Sequence, residues 1–129
     1  MVTGGTLVAQ FTVPVEHGVM YIRDKDSTSS HLVWDPASSA WDVAIDSLAI
    51  AVQAPIDGLV AFEARQGAPD SSLSVLLFEG ALRTPSGYLV IHDADQFIMM
   101  TILVDGELTE LAIRTDVAGN AGRLSLGLT

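Results

Sequence analysis

The 129-residue chain has no cysteine, a single lysine, and no apolar run long enough to cross a membrane. Each absence closes off a class of function. Without cysteine there is no disulfide framework, no thiolate metal site and no cysteine nucleophile. The mean hydropathy of +0.40 is high, yet charges interrupt every apolar run before the roughly 18 residues that a membrane helix needs. No membrane partner is expected. Lys25 and five scattered arginines are too few and too dispersed to neutralise a phosphate backbone, so nucleic-acid binding is disfavoured. Glycine patterns for phosphate are missing as well, since Gly4-Gly5 precedes a strand rather than a helix. The opening MVTGGTLVAQFTV lacks the basic region of a secretory signal, so it reads as mature protein with a cytoplasmic location.

Acid is what the chain has in excess. Sixteen Asp plus Glu against six Lys plus Arg give a formal net charge of -10. A field of that sign repels nucleic acid and anionic membrane and steers a basic partner inward. Part of it has a local cause: eleven of the acids are Asp, and Asp24, Asp57, Asp70, Asp93, Asp95, Asp105 and Asp116 stand where turns favour that residue. An acidic surface that keeps an apolar chain soluble therefore competes with one that recognises something positive.

The length fits one domain spanning residues 1–129, large enough to hold a core without staples. Its clearest stretch is residues 86–116. Branched and aromatic residues mark strands at 89–91, 97–104 and 108–115, with Asp105-Gly106 between the last two as the dipeptide of a tight hairpin. Leu7, Ala9, Phe11 and Val13 alternate with Val8, Gln10 and Thr12 in a first strand, and residues 19–23 form a second. The polar stretch 24–30 is a loop. Asp35-Pro36 has the form of an N-cap followed by proline at the first helical position, which predicts a short helix over residues 37–45. On that helix Trp41 and Ile45 would face inward, and Asp42 and Asp46 outward. Residues 48–52 and 59–65, on either side of Asp57-Gly58, are expected to pair as a hairpin, and residues 124–128 to form the last strand. The nearly continuous apolar run 73–78 predicts a central strand covered on both faces. The sum is an all-β antiparallel β-sandwich of about eight to nine strands with at most one short helix, a closed barrel being the alternative.

Catalytic side chains are sparse. His92-Asp93-Ala94-Asp95 is the densest polar cluster, and its residue types suit a divalent metal. It lies in a turn, however, where Asp is expected anyway. Asp24-Lys25-Asp26 opens like a calcium loop but lacks the glycine and the closing Glu. There is no G-x-S-x-G elbow, and Ser86 reads as a turn residue. No catalytic residue, metal or cofactor is therefore expected, and the chain does not read as an enzyme. What remains is surface: two indoles and three carboxylates, Trp34, Asp35, Trp41, Asp42 and Asp46, fall within thirteen residues. Tryptophan anchors interfaces and neighbouring acids complement Arg or Lys, which nominates Trp34, Asp35, Asp42 and Asp46 as partner-binding residues. The competing explanation is that the tryptophans plug an open end of the sandwich.

The order of these features carries a resemblance. A strand leading to an aromatic corner at residues 11–21, the Trp34-Asp35 pair, and a closing meander that begins at Ser86-Gly87 together resemble the competence protein J group, small acidic proteins that inhibit a partner nuclease. The resemblance implies an all-β inhibitor whose acids occupy the basic substrate groove of a nuclease, with no catalytic residue to carry over. The expected function is thus that of a small acidic non-enzymatic binding protein, an inhibitor or immunity protein masking a basic partner such as a nuclease or toxin. The alternative is an assembly module in which the apolar strands 73–78 and 97–104 join copies, for instance as a homodimer, through free sheet edges.

Overall fold

Period-two alternation gives each strand one apolar face, and two such faces closed on each other make the core. The computed structural model describes residues 4–129, so the first three residues of the segment read above as a mature terminus lie outside it. Ten strands form: β1 (Thr6–Val13), β2 (Val19–Asp24), β3 (Trp41–Val43), β4 (Ser47–Ala51), β5 (Val60–Gln66), β6 (Val75–Arg83), β7 (Tyr88–Asp93), β8 (Met99–Leu103), β9 (Leu108–Thr115) and β10 (Arg123–Leu128). They build two five-stranded sheets, β1-β5-β10-β9-β6 and β3-β4-β2-β7-β8. The expected β-sandwich is the architecture found. One pair departs from antiparallel, since β10 runs parallel to β5.

The core fills the space between the sheets. Phe62, Leu124, Leu126, Ile113 and Leu82 come from the first sheet, and Met20, Ile22, Leu48, Ile50, Leu89 and Ile91 from the second, all essentially inaccessible. Each such side chain contributes about 1.5–3 kcal/mol by leaving water.

Four local expectations fail for identifiable reasons. Asp35 does cap a turn, but only one: the amides of Ser38 and Ser39 both reach its carbonyl, after which Trp41–Val43 pairs with β4 as a strand. Burying Trp41 between the sheets outweighs continuing a helix with only two apolar contacts. Trp41 and Asp42 consequently point to opposite faces, as strand geometry requires. Secondly, β6 is not central but lies at an edge. Its run of apolar residues reflects a register shift between Leu76 and Phe78, a bulge that lets both Leu77 and Phe78 pack on the core. Thirdly and fourthly, neither Asp-Gly turn joins paired strands. Gly58 and Gly106 have the positive φ, 134° and 77°, for which glycine was selected, but each carries the chain from one sheet to the other. β4 and β8 belong to the second sheet, and β5 and β9 to the first.

Candidate partner-binding face

β4 is buried on both faces, and its sequence explains how. Leu48 and Ile50 face the core, whereas Ser47, Ala49 and Ala51 are small enough to let other chain lie against the outer side of the second sheet. The segment 25–40 does so. Its anchor is His31, whose Nδ1 lies 2.7 Å from Asp42 Oδ2 and whose Nε2 lies 2.8 Å from Ser47 Oγ. The ring also lies against Tyr21, 5.9 Å between centroids. A second anchor is Asp46, whose Oδ1 accepts hydrogen bonds from the hydroxyls of Ser27 at 2.8 Å and Ser29 at 2.5 Å. Asp24, at the end of β2, accepts from both the amide and the hydroxyl of Ser86. Leaving one such buried group unpaired costs about 1–3 kcal/mol. The segment is therefore held by specific bonds although it has no regular secondary structure.

Asp42, His31 and Ser47 stand at the distances of a hydrolytic triad, a constellation that no local sequence pattern reveals. Ser47 is fully buried, so no substrate carbonyl reaches its hydroxyl, and a nucleophile needs that access. The three residues lock the segment to the sheet.

The four nominated residues play different parts. Asp42 and Asp46 are engaged from within, by His31 and by the two serines. Trp34 is half-buried and closes its own loop by donating Nε1–H to the Ser39 carbonyl at 3.1 Å. Trp41 packs edge-on against Phe78, 4.9 Å between centroids, and so acts as a core plug. Asp35 is exposed. The Ser38 hydroxyl, and then the Ala37 amide, hold its carboxyl below the usual carboxylate range, so it stays charged. Two residues escaped the sequence reading altogether: Leu32 is 94 % exposed and Val33 100 % exposed. A short apolar run reads as a strand, and nothing local shows that it will sit at the tip of a loop.

His92-Asp93-Ala94-Asp95 does not converge. His92 is buried and stacks on Tyr21 at 5.2 Å, with Nδ1–H donated to the Asp93 carbonyl at 2.6 Å. The Asp93 carboxylate instead accepts from the Ile98 amide, and exposed Asp95 pairs with His17 at 3.1 Å. Among the described residues no three His, Asp or Glu side chains are grouped to hold a metal ion. Burial pushes the His92 imidazole below its ordinary pKa, and the charge of Arg23 adds to this, against the opposing pull of the Asp93 carbonyl and carboxylate.

No protein family matches the chain, and no curated relative matches it. Among solved structures, the fold is similar to that of ComJ from Bacillus subtilis, described as an inhibitor of the DNA-degrading activity of NucA. The TM-score is 0.67 at 10 % sequence identity, over 95 % of this chain and 96 % of ComJ. This chain therefore has the ComJ fold.

Proposed function

We propose that the protein is a non-enzymatic binding protein of the inhibitor type, which masks a basic protein partner with the segment laid over its second sheet. The observation that carries this reading is the exposed pair Leu32 and Val33, set beside the charged Asp35 on a segment anchored before the pair at Ser27, Ser29 and His31 and after it where the chain enters β3. An ordered apolar tip next to a carboxylate offers a partner both desolvated contact and a counter-charge, at little further ordering cost. Trp34 shapes the tip, and Asp42 and Asp46 hold it while adding to the negative field. The shared fold with a nuclease inhibitor supports a basic nuclease or toxin as the partner class. Replacing Leu32 and Val33 together by serine removes the apolar contact and leaves the lock intact. A basic protein captured from source cells by the wild type, increasingly so at low salt, is then lost by the double variant. Equal capture by both would remove the segment from the interface.

A second reading, self-association, is favoured by one feature of the sheet edges. β1 and β6 each carry a register shift and β3 is only three residues long, devices that blunt an edge. β8 has neither. Phe97 is 81 %, Met99 55 % and Leu103 71 % exposed, and no charge lies between Asp95 and Asp105. Antiparallel pairing of two β8 edges would bury that strip. Thr101→Lys then converts a salt-insensitive dimer to monomer in sedimentation, whereas a wild type that stays monomeric at high concentration removes this reading.

A further inference from the structure

The outer face of the second sheet holds, beside the exposed tip, a cavity of about 300 Å³ lined by Tyr21, Arg23, Ser30, Leu32, His92 and Gln96 among others. No carboxylate lines it, in a chain with sixteen. The acids of the neighbouring segments are each committed elsewhere. Asp24 accepts from Ser86, Asp42 faces His31, and Asp46 takes the hydroxyls of Ser27 and Ser29. The Asp93 carboxylate accepts from the Ile98 amide, and Asp95 pairs with His17.

Arg23 is thereby left without a counter-ion. Of the half-buried arginines, Arg65 is paired with Glu63 and Arg114 donates to the Leu73 carbonyl at 3.1 Å, whereas Arg23 forms no hydrogen bond or ion pair among the described residues. Strand geometry sets its direction: Tyr21 and Arg23 flank the core residue Ile22 on β2 and so share the outer face. The Tyr21 hydroxyl likewise has no partner among the described residues. The Ser30 oxygen accepts from the Leu32 amide, which leaves its proton free to donate. Both nitrogens of His31 are engaged by Asp42 and Ser47, and His92 is buried, so neither imidazole offers the cavity an acceptor. A guanidinium and two hydroxyls with no acid beside them select an anion.

The planar fork of a guanidinium matches the two oxygens of a carboxylate, and a carboxylate, as a monoanion, meets less repulsion than a phosphate dianion in a chain with a net charge of -10. The source of that carboxylate follows from place. Leu32 belongs both to the cavity lining and to the exposed tip, so a protein seated on the tip also covers Arg23 and takes it out of water. A charge covered without a counter-charge opposes binding.

We propose that Arg23 receives an Asp or Glu side chain of the partner, so that a mainly acidic face carries one basic socket. The inference rests on the partner-binding reading and adds a requirement to it: the basic partner presents a carboxylate next to the surface that Leu32 and Val33 touch. The socket fixes register, because a partner that met Arg23 with a lysine or arginine would be repelled.

The test compares the affinity of the captured basic partner for Arg23→Gln and for Arg123→Gln, a second arginine that is exposed at the start of β10 in the first sheet. Each substitution makes the chain one charge more acidic, so by the overall field alone both variants bind a basic partner slightly more tightly. With the socket, Arg23→Gln binds at least about tenfold more weakly, the loss expected for one charge-assisted pair, while Arg123→Gln does not weaken binding. A double-mutant cycle reads the pair apart from any shift of the segment: replacing one Asp or Glu of the partner by its amide weakens binding to the wild type and not to Arg23→Gln. The proposal is overturned if Arg23→Gln binds as tightly as the wild type, or if no carboxylate of the partner couples to Arg23. Binding that depends on added inorganic phosphate also overturns it, since a free anion would then bridge Arg23 to a basic group. The double variant Leu32→Ser with Val33→Ser separates the two readings. If it binds as the wild type does, or if the wild type captures no basic protein, the partner-binding reading falls and the socket with it; if it loses the partner while Arg23→Gln keeps it, only the socket falls.

Discussion

Each sheet has a non-strand segment laid over its outer face, and the two are fastened in different ways. On the first sheet, residues 67–70 lie on β10, where Gly127 leaves room for them. Ser125 donates to Glu63 at 2.7 Å and accepts from the Asp70 amide at 2.8 Å, while Arg65 pairs with Glu63 and donates to the Gly5 carbonyl at 2.8 Å. Burial raises the Glu63 carboxyl, but the Arg65 guanidinium and the Ser125 hydroxyl together outweigh it, so the pair stays charged through the neutral range. On the second sheet the fastening is His31 with Asp42 and Ser47, next to His92. The first segment is sealed by close backbone packing at Gly127 and the Gly67 amide bond to the Leu128 carbonyl in addition to these side chains, and the second is a side-chain lock that leaves a cavity and an exposed tip. The bonds of the second segment reach only 11 to 19 residues along the chain, so its opening is more local, which suits the recognition role proposed for it.

The largest effect is expected where the seal is tightest. A Cβ added at Gly127 would stand 2.5 Å from the Gly67 carbonyl oxygen and from Pro69 Cδ and N, and backbone cannot yield as a flexible side chain does. Gly127→Ala should destabilise by about 3 kcal/mol, measured as a lowered urea midpoint. A midpoint within error of the wild type would mean that the seal gives way easily, and the contrast between the two segments would fade.

His31→Ala should cost less, about 2 kcal/mol, by leaving the Ser47 hydroxyl buried and Asp42 unpartnered. Hydrogen exchange is the sharper measurement. Amides of residues 25–40 should lose protection while those of β5 and β10 keep theirs. Loss spread evenly over both sheets would show that the lock is not local.

A smaller effect is expected from pH. The folded pKa of His92 is lowered, so the unfolded chain takes up a proton first as pH falls. Its contribution to stability is whole above the ordinary histidine value of about 6.5 and is lost as pH drops through that value toward the lowered one. Arg23, Tyr21 and Asp93 are the ionisable groups around the ring. His92→Phe, which preserves the stack on Tyr21, should flatten this slope between neutral and mildly acidic pH. An unchanged slope would show that His92 does not set it. The smallest effect belongs to Lys25→Met, which removes a cation 5.3 Å from the Tyr88 ring centroid and should change stability by about 0.5 kcal/mol.

The same contrast explains what could be read from sequence. Strand faces were legible because alternation is local: Leu124, Leu126 and Leu128 point inward as their spacing requires. Turn chemistry was legible too, in Asp105-Gly106 and in the cap at Asp35. What a turn cannot encode is whether the chain that leaves it rejoins the same sheet, because that depends on which apolar faces meet across the core. Both Asp-Gly turns were misread for that reason, and the bulge in β6 made an edge strand look central. Within the candidate site, Trp34 and Asp35 were nominated by residue type. His31 and the Leu32-Val33 tip were not, and His92 stood out only as part of a turn cluster, since their surroundings come from residues far apart in sequence: Asp42 and Ser47 for His31, Tyr21 and Arg23 for His92.

The most direct test of the central claim sets the two faces against each other at equal charge. Asp26→Lys with Asp35→Lys reverses two exposed acids of the second-sheet segment, and Glu79→Lys with Glu110→Lys reverses two exposed acids on the outer face of the first sheet. Both change net charge by the same amount. Binding to the captured basic partner should fall by more than about tenfold for the first pair, with only the smaller loss due to the overall field for the second. Equal losses would show that the partner responds to net charge alone, and a larger loss from the second pair would move the interface to the first sheet.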